Sequence, residues 1–295
     1  MRLLPVLVIV SLCAATVARA EETTQPVSIS FWDERTGVLV SSTWGPADIG
    51  RSTVEVTRDG GRSWTVMRTF ASKVEVSAVR GTRIAFAATP SGLFRTRDAG
   101  ASWARVSPRA VEKPSFASPL VGWAVELTRI VSTRDGGRSW RVLRDPCGRY
   151  DTIEVSLPSA TRGWVVCSSQ PGAGMQPKGV WSTRDAGASW QLVTRASPWG
   201  KRVGRGLSVG GYPAGIAMTA AGRGWLWMSR GSFYATRDGG RTWSTLPISS
   251  PEIVEGRSAS LLSGTVGYAL FRHRPALRFT SDGGRTWTVV RRWSQ

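Results

Sequence analysis

Apolar and polar residues alternate along most of the chain in runs too short for helices. Ser52-Thr-Val-Glu-Val-Thr57 is one such run and Trp64-Thr-Val-Met67 is another. A period of two puts successive side chains on opposite faces, so each run predicts a β-strand. The octapeptide Thr57-Arg-Asp-Gly-Gly-Arg-Ser-Trp64 joins these two, which predicts a strand, a tight turn and a strand. It recurs at Thr96–Trp103, Thr133–Trp140, Thr183–Trp190, Thr236–Trp243 and Thr280–Trp287. The turn aspartates are Asp59, Asp98, Asp135, Asp185, Asp238 and Asp282, and the closing tryptophans are Trp64, Trp103, Trp140, Trp190, Trp243 and Trp287.

Gly at the fifth position of every copy predicts a backbone with φ > 0. The Asp carboxylate is expected to accept N–H bonds from its own turn. The Trp opens the outgoing strand and is expected to cover the hairpin.

A second element precedes each octapeptide: an apolar residue, five variable residues, Gly, then usually an aromatic. Phe31…Gly37-Val38, Phe116…Gly122-Trp123, Leu157…Gly163-Trp164, Met218…Gly224-Trp225 and Leu261…Gly267-Tyr268 follow it, and Ala78…Arg83-Ile84 reads as a degraded copy. This is a second hairpin, so each repeat holds four strands, A to D. Six repeats of about 46 residues match the period of a propeller blade. The expected fold is all-β, a six-bladed β-propeller. Its blades are expected at 27–68, 74–107, 111–144, 152–194, 206–246 and 253–292.

Residues 1–20 stand apart. Arg2, the apolar run Leu3–Val17 and Ala18-Arg19-Ala20 read as a signal peptide, which leaves 21–295 as one propeller domain and predicts export. No later stretch approaches the ~18 apolar residues of a membrane helix. In an oxidising compartment Cys147 and Cys167 are expected to form a disulfide, with two free thiols as the alternative. A single histidine, His273, excludes a multi-His metal site, and no cofactor motif is present. The formal net charge is +19, yet no fold known to bind DNA or RNA is recognisable, so nucleic acid is not an expected partner.

The octapeptide resembles the Asp-box, or bacterial neuraminidase repeat, of sialidases and sortilin-type receptors. The longer pattern, with Gly-Trp before it, resembles the photosystem II assembly/stability factor family and its non-photosynthetic bacterial relatives. The resemblance covers essentially the whole chain after residue 20. It implies that the A–B and C–D turns share one end of the ring and that the B–C and D–A loops share the other, where ligands bind. The Asp-boxes are then structural and face away from the ligand end.

At the loop end, the B–C segments Ser41–Ser52 and Ser168–Gly179 are long. The longest D–A connection carries Trp199, Lys201, Arg202, Arg205 and Tyr212. Basic and aromatic residues together suit an acidic protein surface or an anionic envelope polymer. The competing reading is a solvated loop.

The enzyme suggested by the resemblance is a sialidase-related glycoside hydrolase, or else a carbohydrate-binding propeller. Sialidases begin with a Phe/Tyr-Arg-Ile-Pro motif, of which Phe271-Arg-His-Arg-Pro275 is only an echo. Tyr268 occupies the structural aromatic slot. Glu75 and Glu154 recur at matching places on A strands and are the carboxylates expected to face the channel. The expectation is therefore a monomeric, exported, non-enzymatic binding or assembly module.

Overall fold

The computed structural model describes residues 23–294 except 45–48, 149, 151, 200, 202, 249–255, 273 and 274. The expected leader, Arg202 and His273 lie outside the described residues. Those residues form 24 strands in six four-stranded antiparallel sheets, and in every sheet four consecutive strands lie side by side. The A strands are Thr23–Phe31, Glu75–Ala78, Glu112–Phe116, Thr152–Ser156, Pro213–Met218 and Gly256–Leu261. They line one central channel of about 280 Å³. The blade count matches the six repeats. Blade 1 begins earlier than expected, at Thr23, and blade 5 later, at Pro213.

Each octapeptide is a closed hydrogen-bonded unit. In blade 1, Thr57 Oγ1 donates to Asp59 Oδ1 and accepts from Gly61 N. Asp59 then accepts Ser63 N on Oδ1 and Ser63 Oγ on Oδ2. The same bonds recur in all six copies, including the last, Asp282 with Thr286. The fifth-position glycines have φ between 87° and 92°. A Cβ on Gly61 would lie 2.5 Å from Leu277 of blade 6, and one on Gly137 2.2 Å from Leu93 of blade 2. Glycine is therefore required twice there, by backbone conformation and by the close approach of the preceding blade. The fourth residue donates its N–H to the A–B turn of its own blade in every case, as Gly60 does to Arg35 O and Gly283 to Thr265 O. The A–B and C–D turns therefore share one end of the ring.

The core is divided into six clusters, one at each seam between blades. The aromatic after the strand-B glycine leans into the next blade. Tyr268 stacks on Phe31 at 3.8 Å between centroids, and its hydroxyl donates to Glu34 O. Burial pushes the Tyr268 phenol up to about 12. Trp164 and Trp225 donate to Gly239 O and Gly283 O of the next blade's turn.

Blade 2 is not degraded. Ala78 pairs with Ala85 and Ser77 with Phe86, so the A–B turn is one residue longer and Phe86 fills the aromatic slot. Phe86 stacks on Phe116 of blade 3 at 3.5 Å.

A ring of serines on the inner strands joins the blades. Ser260, Ser30, Ser77, Ser115 and Ser156 each accept a backbone N–H from the next blade: Phe31, Ala78, Phe116, Leu157 and Met218 respectively. Ala217 holds the sixth position. Among the described residues no strand is exchanged between the first and last blades, and the 6→1 seam is held by the Tyr268–Phe31 stack and by Ser258 and Ser260, which accept Ile29 N and Phe31 N.

The described part of the Ser41–Ser52 segment is strand rather than loop. Ser41 pairs with Thr53, Ser42 with Ser52 and Thr43 with Arg51, extending strands B and C of blade 1. Its run of Ser and Thr suits a pleated sheet, and Ser42 and Ser52 are buried and bonded at 2.9 Å.

Candidate functional site at the loop end

The A strands of blades 2, 3 and 4 carry Glu75, Lys113 and Glu154 into the channel. Glu75 Oε2 accepts the Lys113 backbone N–H at 2.5 Å, and Glu154 Oε1 accepts Lys113 Nζ at 2.5 Å. Lys113 Nζ also donates to Ile153 O. Lys73 pairs with Glu75 at 2.8 Å. Burial raises the Glu154 pKa against the pull of Lys113, while Lys73 is held above its ordinary value despite burial because Glu75 lies beside it. The two glutamates thus face the channel as expected, but as parts of one ion-paired network. The wall in blade 5 is apolar, with Ala214, Gly215, Ala217 and Trp227.

Cys147, between blades 3 and 4, and Cys167, on strand B of blade 4, form a disulfide with Cα atoms 5.3 Å apart. Both are buried in the cluster at that seam.

The two long segments beside blade 4 are tied together. Gln176 N donates to Val209 O and Gly211 N to Gly174 O. Beneath them Lys178 is 0% exposed, and its ammonium donates to the carbonyls of Ser208, Val209, Gly210 and Gly211 at 2.9–3.1 Å. No carboxylate joins these bonds, and burial lowers the amine to about 8. Lys178 was not singled out from the sequence, nor was Lys113. Both are among only four lysines, Lys73, Lys113, Lys178 and Lys201, against 35 arginines. In a chain that otherwise uses Arg, a compact ammonium at a defined place was the available signal.

The predicted binding residues do not form one patch. Trp199 is 74% exposed beyond the end of strand D, and Lys201 is exposed near it. Arg202 lies outside the described residues. The connection then leaves the loop end: Arg195 N donates to Val203 O, and Arg205 exchanges backbone bonds with Arg241 and Trp243 in the turn of blade 5. Arg205 is therefore at the turn end of the ring. Glycines allow this descent, since a Cβ on Gly206 would lie 1.8 Å from Trp243 O. The chain climbs back through Leu207 to Tyr212, which is half-buried and accepts Ser229 N. Among the described residues no group of three His, Cys, Asp or Glu could hold a metal, and no helix is long and apolar enough to cross a membrane.

Six four-stranded blades around one channel define a six-bladed β-propeller. No protein-family model and no curated protein matches the sequence. Among solved structures, the chain is similar to YCF48 bound to D1 peptide, with a TM-score of 0.52 and 20% identity over 92% of this chain and 83% of that one. YCF48 from Cyanidioschyzon merolae gives 0.52 and 16% identity over 92% and 86%. The GH74 xyloglucanase from Xanthomonas campestris gives 0.56 and 16% identity over 88% of this chain but 45% of the enzyme. At these identities the likeness is one of fold, and folds of this kind host unrelated functions.

Proposed function

We propose that this chain is an exported, non-enzymatic scaffold that binds an acidic protein segment at the loop end of the ring. The observation that carries this reading is the network around Lys113. Glycoside hydrolysis needs two facing carboxylates with distinct protonation roles. Glu75 and Glu154 are instead bonded to the amide and the ammonium of Lys113. The turn aspartates have both oxygens occupied within their own turns, which supports their assignment as structural Asp-boxes. One propeller of similar fold and length holds a peptide. Trp199 and Lys201 offer exposed apolar area and positive charge, the combination that anchors acidic partners, and Arg202 adjoins them in sequence.

The competing reading, a glycoside hydrolase or carbohydrate-binding propeller, has the xyloglucanase fold likeness in its favour. The test has two arms. Affinity for a fluorescent Asp/Glu-rich peptide is expected to fall at least tenfold in Trp199→Ala/Lys201→Ala/Arg202→Ala and to stay within twofold in Arg58→Ala/Arg184→Ala, which removes the same charge from the turn end. Equal loss in both would overturn the surface assignment. Release of reducing sugar from xyloglucan, or of fluorophore from a sialoside, would overturn the non-enzymatic reading.

A further inference from the structure

The seam between blades 5 and 6 lacks a closure that the four seams before it have. At the 1→2 and 2→3 seams an arginine of the earlier blade closes over the turn tryptophan: Arg68 Nη1 donates to Trp103 O and Arg109 Nη1 to Trp140 O. At 3→4, Trp190 Nε1 finds Arg144 O, and at 4→5 the descending connection bonds Trp243 N to Arg205 O. Among the described residues the 5→6 seam has no such closure. Trp287 Nε1 is buried without a partner, and Ala217 stands where serine bridges the other inner strands. On the turn side a wedge of about 660 Å³ remains.

Three arginines line that wedge, Arg223, Arg237 and Arg285. Arg62, Arg138 and Arg241, the counterparts of Arg285 in other turns, donate to the carbonyl of their own turn aspartate at 3.0–3.2 Å. Arg285 makes no such side-chain bond, and none of the three has an acidic partner among the described residues. Among the described residues the one acid lining the wedge, Asp282, already accepts from Thr280, Thr286 and two backbone N–H groups. Three arginines therefore line one cavity in which, among the described residues, the single carboxylate is already committed.

We infer that this wedge is a binding site for a multiply charged phosphate-type oxyanion, separate from the loop end and from the channel. A lone carboxylate is matched by one guanidinium in a bidentate pair. Three arginines around one cavity match a group of charge −2 or more. The site does not depend on the reading of the loop end, and its variants leave that surface untouched.

The test is calorimetric titration of the full chain with pyrophosphate, inorganic phosphate and citrate at 0.1 M salt. Pyrophosphate is expected to bind with 1:1 stoichiometry, ahead of phosphate and of the tricarboxylate. Arg223→Gln/Arg237→Gln/Arg285→Gln is expected to weaken it at least tenfold. Arg58→Gln/Arg134→Gln/Arg184→Gln removes the same net charge outside the wedge and is expected to change it less than twofold. Unchanged melting temperatures in both triples exclude misfolding. If the wedge triple proves unstable, Arg223→Gln alone is read against Arg58→Gln alone, with at least a threefold difference expected. Equal weakening in both sets, no binding by the unaltered chain at millimolar pyrophosphate, or tighter binding of citrate would each overturn the assignment.

Discussion

The Lys113 ammonium of blade 3 lies 2.5 Å from Glu154 Oε1 of blade 4, in a channel where Glu154 is almost wholly buried. The pair joins two neighbouring blades across the wall of the channel. Lys113→Met leaves a buried carboxylate without its counter-charge, which costs about 3–5 kcal/mol at neutral pH. The Glu154 pKa is already raised by burial, so without Lys113 the acid should take up a proton. A carboxyl whose folded pKa exceeds its unfolded value loses stability as pH rises between the two. The variant should therefore recover part of its deficit on going from pH 7 to pH 5, in chemical denaturation at both values. A deficit unchanged by pH would contradict this.

The serine ring predicts opposite effects at two seams. Ser260→Ala removes the acceptor of Phe31 N at the seam that closes the propeller, at a cost of about 1–3 kcal/mol. Ala217→Ser adds the member that is missing between blades 5 and 6. It should raise stability by about 0.5–1.5 kcal/mol, the usual net worth of one bond. Thermal melts of both variants against the parent test the pair.

The turn aspartates set the acid limit. Asp98 is brought down to about 2 by the Ser102 hydroxyl, the Ser102 N–H and the Thr96 hydroxyl. Asp185 is lowered to about 2 by the equivalent groups, the Ser189 hydroxyl first. Each folded pKa lies below the unfolded value near 4. Their contribution is complete above about pH 4 and is lost as pH falls toward 2. The unfolding midpoint should be flat near neutrality and drop steeply over that window, and less steeply in Asp98→Asn/Asp185→Asn. At neutral pH Asp135→Ala should cost about 1–3 kcal/mol, while Trp140→Ala should cost about 3–5 through the cavity it leaves.

Cys147 and Cys167 close a loop with a sequence separation of 20. Chain-entropy arguments assign such a link about 3 kcal/mol. Reduction under native conditions, or Cys147→Ser/Cys167→Ser, should lower the melting temperature by several degrees. The blade 4 loops should become accessible to protease before the rest of the ring.

Six copies of an octapeptide and six of the preceding hairpin determined the all-β class, the blade count and the role of each turn. The physical reason is that these features are local. A Thr-x-Asp-x-Gly-x-Ser/Thr-Trp turn satisfies its own hydrogen bonds, so Asp59 and Ser63 meet wherever the segment lies. Cys147 and Cys167 were legible for a different reason: under the expectation of export, two thiols have few alternatives. What the sequence left open depends on neighbours distant along the chain. Phe86 takes the aromatic slot only because Ala85 pairs with Ala78. Ser41–Ser52 reads as a loop until its hydroxyl-rich halves pair. Arg205 is six residues from Trp199 yet lies at the opposite end of the ring, because glycines let the connection run down the side of the blades. Lys113, Lys178 and the wedge arginines acquire meaning only from carboxylates, carbonyls and cavities supplied by other blades. Charge and burial at a seam are properties of the closed ring, and tertiary structure alone decides them.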